Sequence, residues 1–240
     1  MDILVVNQVP TGHSHGRKQI WLIYLKKYDN KTKIILRSFT IKKSFTWKKK
    51  NLKKFIKTQK IDEQFFENNK KIIIEIGPGT GDNIIFLSKK YPRKKIIGIE
   101  AFKNGLANIA HTCVENNIKN IYLFPFVFQK FLSKFNNHTF HQCYIFFPDP
   151  WPKKKHNKRR LVTYQFLKEL SSRCLRKGAI FIASDNLDYF KSVKKHVNTL
   201  KKEVKLSVKF SKKTPTIVTK YHNRAIKLKN NINFLKIDKI

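Results

Sequence analysis

Acidic residues are scarce in this chain: 15 Asp and Glu face 52 Lys and Arg among 240 residues, leaving a formal net charge of +37. That balance points to a polyanionic partner, because every phosphate neutralised by a cation releases condensed counterions. Arginine is scarce too, with 8 residues against 44 lysines. Much of the charge is therefore a compositional drift along the whole chain and not a patch built for one ligand. The three cysteines, Cys113, Cys143 and Cys174, are widely spaced and odd in number. They exclude a disulfide framework and a four-cysteine zinc site, and they fit a reducing cytoplasm. No run of about 18 apolar residues occurs, which excludes a membrane-spanning helix. The start, Met1-Asp2-Ile3-Leu4, carries an early acid and no basic segment, unlike a secretory signal. His13-Ser14-His15 has no third ligand at usable spacing, so no metal is expected. These absences describe a soluble cytoplasmic protein, a monomer or weak dimer.

A hydrophobic content of 41% can supply a core, and 240 residues suit one large α/β domain with a small extension. Residues 1 to about 70 show weak periodicity, with a turn-rich opening at Pro10-Thr11-Gly12 and a Lys-rich stretch, Lys48 to Lys60, that can hold one amphipathic helix. This is read as an N-terminal extension, 1–70. From residue 71 to 240, short apolar runs alternate with longer mixed segments. The runs are 72–76, 96–100, 121–124, 143–147 and 179–183, with two further strand candidates at 206–210 and 232–235 around a basic helical stretch. Near-continuous apolar strands require a sheet covered on both faces, so the expected fold is α/β, with a doubly wound, mainly parallel sheet. Leu161, Tyr164, Leu167, Leu170 and Cys174 recur at helical spacing, and Gly178 is expected to close the loop after that helix.

The first strand runs into Gly77-Pro78-Gly79-Thr80-Gly81 and then an apolar helical segment. Glycines there allow a tight turn and the close approach of a ligand. Glu75 ends that strand, and Glu100 ends the next, where a carboxylate can accept both hydroxyls of a ribose. An acid at Glu75 would repel a pyrophosphate lying over the loop. A cationic ligand fits better. These residues resemble the first two motifs of class I S-adenosylmethionine-dependent methyltransferases, which implies S-adenosylmethionine as cofactor with Glu75, Gly77, Gly79 and Glu100 around it.

The sharpest stretch runs from Phe146 through Pro148-Asp149-Pro150-Trp151-Pro152 to Arg160. Three prolines hold Asp149 and Trp151 with little freedom left to lose. The Trp face can stack a base, and Lys153 to Arg160 adds seven potential cations for phosphates. The bland readings are a proline-rich structural turn, a solvated basic loop, and an Asp that only caps the next turn. Phe147-Pro148-Asp149-Pro150-Trp151-x-Lys153 followed by His156-Asn157-Lys158-Arg159-Arg160 looks like the signature of the bacterial tRNA (guanine-N7)-methyltransferases. The resemblance extends through Arg37-Ser38-Phe39, Ala183-Ser184-Asp185 and Val218-Thr219-Lys220-Tyr221. It implies methyl transfer to N7 of a guanosine in the tRNA variable loop, with Asp149 as catalytic residue and cofactor contact. It also implies tRNA contacts at Lys153, Asp185, Thr219, Lys220 and Tyr221. The chain departs from the family at Val127, where an acid or amide near the adenine is usual, and at His222, where a Glu follows the Thr-x-aromatic sequence. Two other functions fit the same residues: an amino-group nucleic-acid methyltransferase, and a non-catalytic basic RNA-binding protein on the same fold.

Overall fold

The computed structural model describes residues 4–9, 18–27, 30–35, 39–40, 46–68, 71–135 and 138–240, with side chains from Leu52 onward. The chain divides into two compact units, Met1–Trp47 and Lys48–Ile240. In the first, β1 (Leu4–Val9), β2 (Lys18–Lys27) and β3 (Asn30–Ile35) form an antiparallel sheet in that order, and β4 (Phe39–Thr40) also pairs with β2. The strands were not legible because β2 reads as one continuous apolar run, Ile20 to Leu25, flanked by lysines and without period-2 alternation. Pro10-Thr11-Gly12, His13, His15, Arg37 and Ser38 lie outside the described residues.

The second unit opens with α1 (Thr46–Thr58) and α2 (Glu63–Glu67). The expected amphipathic helix is present in α1, which buries Leu52 and Phe55. Asp62 caps α2 by accepting the Phe65 amide at 3.0 Å, and Phe65 and Phe66 enter the main core. Residues 48–68 group with the larger unit, and the contacts divide the chain at 47/48.

There follow β5 (Ile73–Ile76), α3 (Asp82–Lys90), β6 (Ile96–Ile99), α4 (Lys103–Glu115), β7 (Ile121–Phe124), α5 (Phe128–Lys134) and β8 (Phe140–Phe146). A 3-10 turn (Lys154–Arg159), α6 (Tyr164–Arg173), β9 (Cys174–Ser184), α7 (Leu187–Leu200), β10 (Leu206–Ser211), α8 (Lys220–Lys227) and β11 (Asn233–Lys239) complete the chain. The seven-stranded sheet has the order β10-β11-β9-β8-β5-β6-β7, and β11 alone runs against the rest. β5 and β6 are buried along their whole length, as strands covered on both faces must be. Phe131 of α5, Phe135 just after it, and Leu167, Leu170, Val193 and Val197 of α6 and α7 pack into one core, which no residue of α3 or α4 joins.

Gly178 does not close a loop after α6. The helix passes directly into β9, and residues 175–178 bulge out of that strand, with Lys177 at φ 62°. A Cβ on Gly178 would meet the His141 and Leu175 carbonyl oxygens at 2.6 and 2.7 Å, so the glycine serves close packing.

Strand order reverses between β5 and β8. Chains leaving the carboxyl ends of these neighbours turn apart and open a crevice there, which is where open α/β sheets take their ligands.

Candidate active site

The floor of the crevice is the loop from β5 to α3. Gly77, Gly79 and Gly81 have φ of 76°, 56° and 100°, a region other residues enter only with strain. Their surroundings differ. A Cβ at Gly77 would meet nothing within 4 Å, whereas one at Gly81 would lie 2.5 Å from Ile109. Gly77 therefore faces open space and Gly81 faces packed helix. Gly105 of α4 lets that helix approach the loop, since a Cβ there would stand 2.1 Å from the Gly79 carbonyl oxygen.

Four of the chain's fifteen acids, Glu75, Asp82, Glu100 and Asp149, meet around this loop. Glu75 is buried at the end of β5, and burial pushes its carboxyl up to about 8. The nearby Asn83 amide opposes that rise, while Asp82 and Glu100 add to it. The Asn83 contact is too loose for a full hydrogen bond: Oε2 of Glu75 and both amide atoms of Asn83 are buried without a partner. Glu100 accepts the Gly79 amide on Oε2 at 3.1 Å and the Phe102 amide on Oε1 at 2.8 Å. Burial raises its pKa, those amides lower it, and Asp149 raises it further. Asp149 thus stands close enough to Glu100 to be felt electrostatically. The crevice repels anions and suits a ligand carrying positive charge.

Across from the loop, β8 ends in the proline-locked corner. Phe147 and Trp151 hold positive φ, 52° and 44°, which bulky residues adopt only under constraint. Phe147 is anchored by its amide to the Ala183 carbonyl at 2.9 Å. Arg160 fastens the other end: it is buried, donates Nε–H to the Pro150 carbonyl at 2.9 Å, pairs through Nη2 with Asp188, and lies over the Tyr189 ring. Asp149 itself is exposed, and among the described residues its carboxylate accepts no hydrogen bond, so it caps nothing.

The structure corrects two expectations here. Arg160 is not a phosphate contact, because its guanidinium is used up inside the protein. Trp151 does not present a bare face: the Arg159 guanidinium lies 5.0 Å over its ring and His156 meets it edge-on. His222, where the family has Glu, is packed between Phe147 and Phe234 in an aromatic cluster, and burial lowers its pKa.

The tail closes the third side. Thr219 is buried and caps α8 by accepting the His222 amide on Oγ1 at 3.2 Å. The Lys220 amide donates to Asp82 Oδ2 at 2.7 Å, and the Tyr221 ring lies over Gly79. Burial raises the Tyr221 pKa, and Glu100 and Asp149 raise it further. Lys153, Lys220 and Tyr221 have exposed side chains, and Asp185 accepts the Asn230 side-chain amide at 3.0 Å. Glu75, Gly79, Glu100, Asp149, Lys220 and Tyr221 thus come together around the glycine loop, whereas Thr219 is buried beneath the start of α8. Val127 is the residue before α5, at the end of β7. Sequence reasoning missed Asp82, whose sole signal was an acid directly after the last glycine, and the anchoring role of Arg160, which carried no signal separate from its basic neighbours.

Residues 69–235 match the methyltransferase family profile Methyltransf_4. The chain is 33% identical over 178 residues to a tRNA (guanine-N(7)-)-methyltransferase of Wolbachia pipientis wMel, covering 74% of this chain and 79% of that one. It is 34% identical over 142 residues to a bifunctional methyltransferase of Rickettsia bellii (strain RML369-C), covering 59% of this chain and only 26% of that longer protein. Among solved structures, the precorrin-6y C5,15-methyltransferase of Geobacter metallireducens GS-15 superposes with a TM-score of 0.52 at 12% identity, over 79% of this chain and 86% of that one, a likeness of fold.

Proposed function

The chain belongs to the tRNA (guanine-N7)-methyltransferase family, and from that membership we propose that its crevice transfers a methyl group from S-adenosylmethionine to N7 of a guanosine in the variable loop of tRNA. The observation that carries the reading is the pairing of an acid-lined glycine loop with an unpartnered carboxylate, Asp149, held on a rigid corner opposite it. Space for the cofactor is left where Gly77 lacks a Cβ, and the buried, unpartnered Glu75 Oε2 favours a positive neighbour. S-adenosylmethionine supplies an electrophilic methyl group on a sulfonium.

Glu75 offsets the positive charge of the cofactor end of the crevice, and Glu100, already fixed by two backbone amides, keeps lone pairs for ribose hydroxyls. Asp149 orients the guanine. Guanine N7 carries an in-plane lone pair and no proton, so no general base is needed, and placement supplies much of the acceleration. Positive charge develops on the purine as the bond forms, and the Asp149 carboxylate stabilises it without reorganising. Lys153, Lys220 and Tyr221 face the incoming RNA, Asp185 stands at the end of β9, and Thr219 sets the angle of α8.

Incubating unmodified tRNA with labelled S-adenosylmethionine and then treating it with sodium borohydride followed by aniline tests the reading, because hydride reduction of the cationic N7-methylated purine labilises its glycosidic bond and aniline cuts the chain at the exposed sugar. A single cut in the variable loop is expected. Label incorporated without strand scission would mean an exocyclic amino product, and no incorporation would mean an RNA-binding protein without this activity.

A further inference from the structure

Two adjoining concavities of about 420 and 400 Å³ lie along α7, outside the crevice, and share Lys191 and Lys195. Asn157, Arg160 and Thr163 form one wall of the first, and Lys194 and Lys202 line the second. Lys191, Lys194 and Lys195 stand at i, i+3 and i+4, on one face of the helix, where like charges repel and weaken an isolated helix. Lys202 continues the stripe about three turns from Lys191.

Diffuse lysine is the background of this chain, so exposure alone says little. Three features set the groove apart. It gathers four lysines along two adjoining concavities, although the want of an ion pair is shared with most of the described lysines, few of which, Lys60, Lys168 and Lys236 among them, meet a carboxylate. The one acid in the lining, Asp188, is already held by Arg160. Phe210 is half exposed with the Lys194 ammonium 4.7 Å from its ring centre, so an apolar platform adjoins the cations. Arg160 also ties the groove to the proline-locked corner, bonding to the Pro150 carbonyl and to Asp188 at the start of α7.

We propose that this groove is a binding site for an RNA phosphate backbone, occupied by the part of the tRNA that leads away from the methylated nucleotide. The proposal rests on the tRNA reading above and extends it to a second contact region. A polyanion seated beside Asp149 passes next to Asn157 and onto α7, where the four ammonium groups neutralise successive phosphates. Ser192 and His196, whose side chains approach at 3.4 Å, add neutral hydrogen-bonding groups; burial and Lys195 lower the His196 pKa.

The test uses the full chain with Lys191→Gln, Lys194→Gln, Lys195→Gln and Lys202→Gln combined, beside a control carrying Lys53→Gln, Lys54→Gln, Lys89→Gln and Lys119→Gln, exposed lysines that do not line the groove. The affinity for an unmodified tRNA transcript is measured across a salt series for both and for the wild type. The groove variant should lose affinity and its slope of log K against log salt should fall by roughly 0.7–0.9 for each phosphate contact removed, with the control near wild type. At saturating tRNA its kcat should be unchanged while KM rises. Equal losses in the control, or an unchanged slope in the groove variant, would overturn the proposal. So would a change of oligomeric state with the slope intact, which would make the surface an interface between copies. A wild type that binds tRNA through the groove yet methylates nothing would uphold the groove and refute the reaction.

Discussion

Replacing Glu75 by Gln probes the electrostatics of the crevice without changing its shape. The folded protein holds the Glu75 proton up to about 8, while an unfolded chain releases it near 4.5. Between those values folding takes up a proton, so stability falls as pH rises from about 4.5 to about 8 and is level beyond. The interval between 4.5 and about 8, at ~1.4 kcal/mol per pH unit, sets an upper figure of ~5 kcal/mol for this group. Glu100 contributes with the same sign; His141, His156, His196 and His222, whose pKa values are lowered, contribute with the opposite sign. Subtracting the Glu75→Gln curve from the wild-type curve cancels these other groups. Urea unfolding between pH 5 and 9 should show the wild type losing several kcal/mol more than the variant across the window. S-adenosylmethionine brings positive charge to the carboxyl and draws its proton off, so wild-type affinity should rise with pH below about 8, by up to one log unit per pH unit, and the variant's should not. Superimposable stability profiles for the two proteins would refute the buried-acid argument.

Asp149→Asn should lower kcat by about two to three orders of magnitude, the range found for removing one preorganised electrostatic partner, while tRNA affinity measured by filter binding stays near wild type because the basic surface is untouched. Gly77→Ala and Gly105→Ala should fail differently. The first places a Cβ in open crevice space and should weaken S-adenosylhomocysteine binding by about tenfold or more, equal to ~1.4 kcal/mol, with a modest loss of Tm from its φ of 76°. The second drives a Cβ to 2.1 Å from the Gly79 carbonyl oxygen and should cost ~1–3 kcal/mol in folding as an overpacked contact. Arg160→Ala removes a charged donor from the Pro150 carbonyl, so thermal unfolding should report a loss of ~1.5–3 kcal/mol. Arg160→Lys should not restore it, since one ammonium cannot meet Pro150 and Asp188 together.

All seven strands of the large sheet, the helix before β9 and the basic helix near the end were legible in the sequence: the central strands because a strand buried on both faces must be apolar along its length, the partly exposed β10 and β11 from shorter apolar clusters, and the helices from their 3.6-residue repeat. The small N-terminal sheet was not, since its longest strand carries no alternation by which to tell strand from helix. Nor was the boundary at 47/48, because Phe65 and Phe66 declare themselves as core only once their partners Phe131 and Phe135 are in place.

At the candidate site, the groups proposed to react stand together locally in the sequence: a glycine loop between two strand-end acids, and an aspartate among prolines. What each neighbour does was decided in three dimensions. Arg159 and Arg160 are adjacent, chemically identical and indistinguishable in a basic run, yet one covers Trp151 and the other is buried as the anchor of the proline-locked corner. Asp82 gains its role from an amide 138 residues away, and the α7 groove exists only because Asn157 and Arg160 come to lie beside lysines from another helix. Local sequence determines backbone preference and charge; which charge is desolvated, paired or left for a ligand depends on long-range packing.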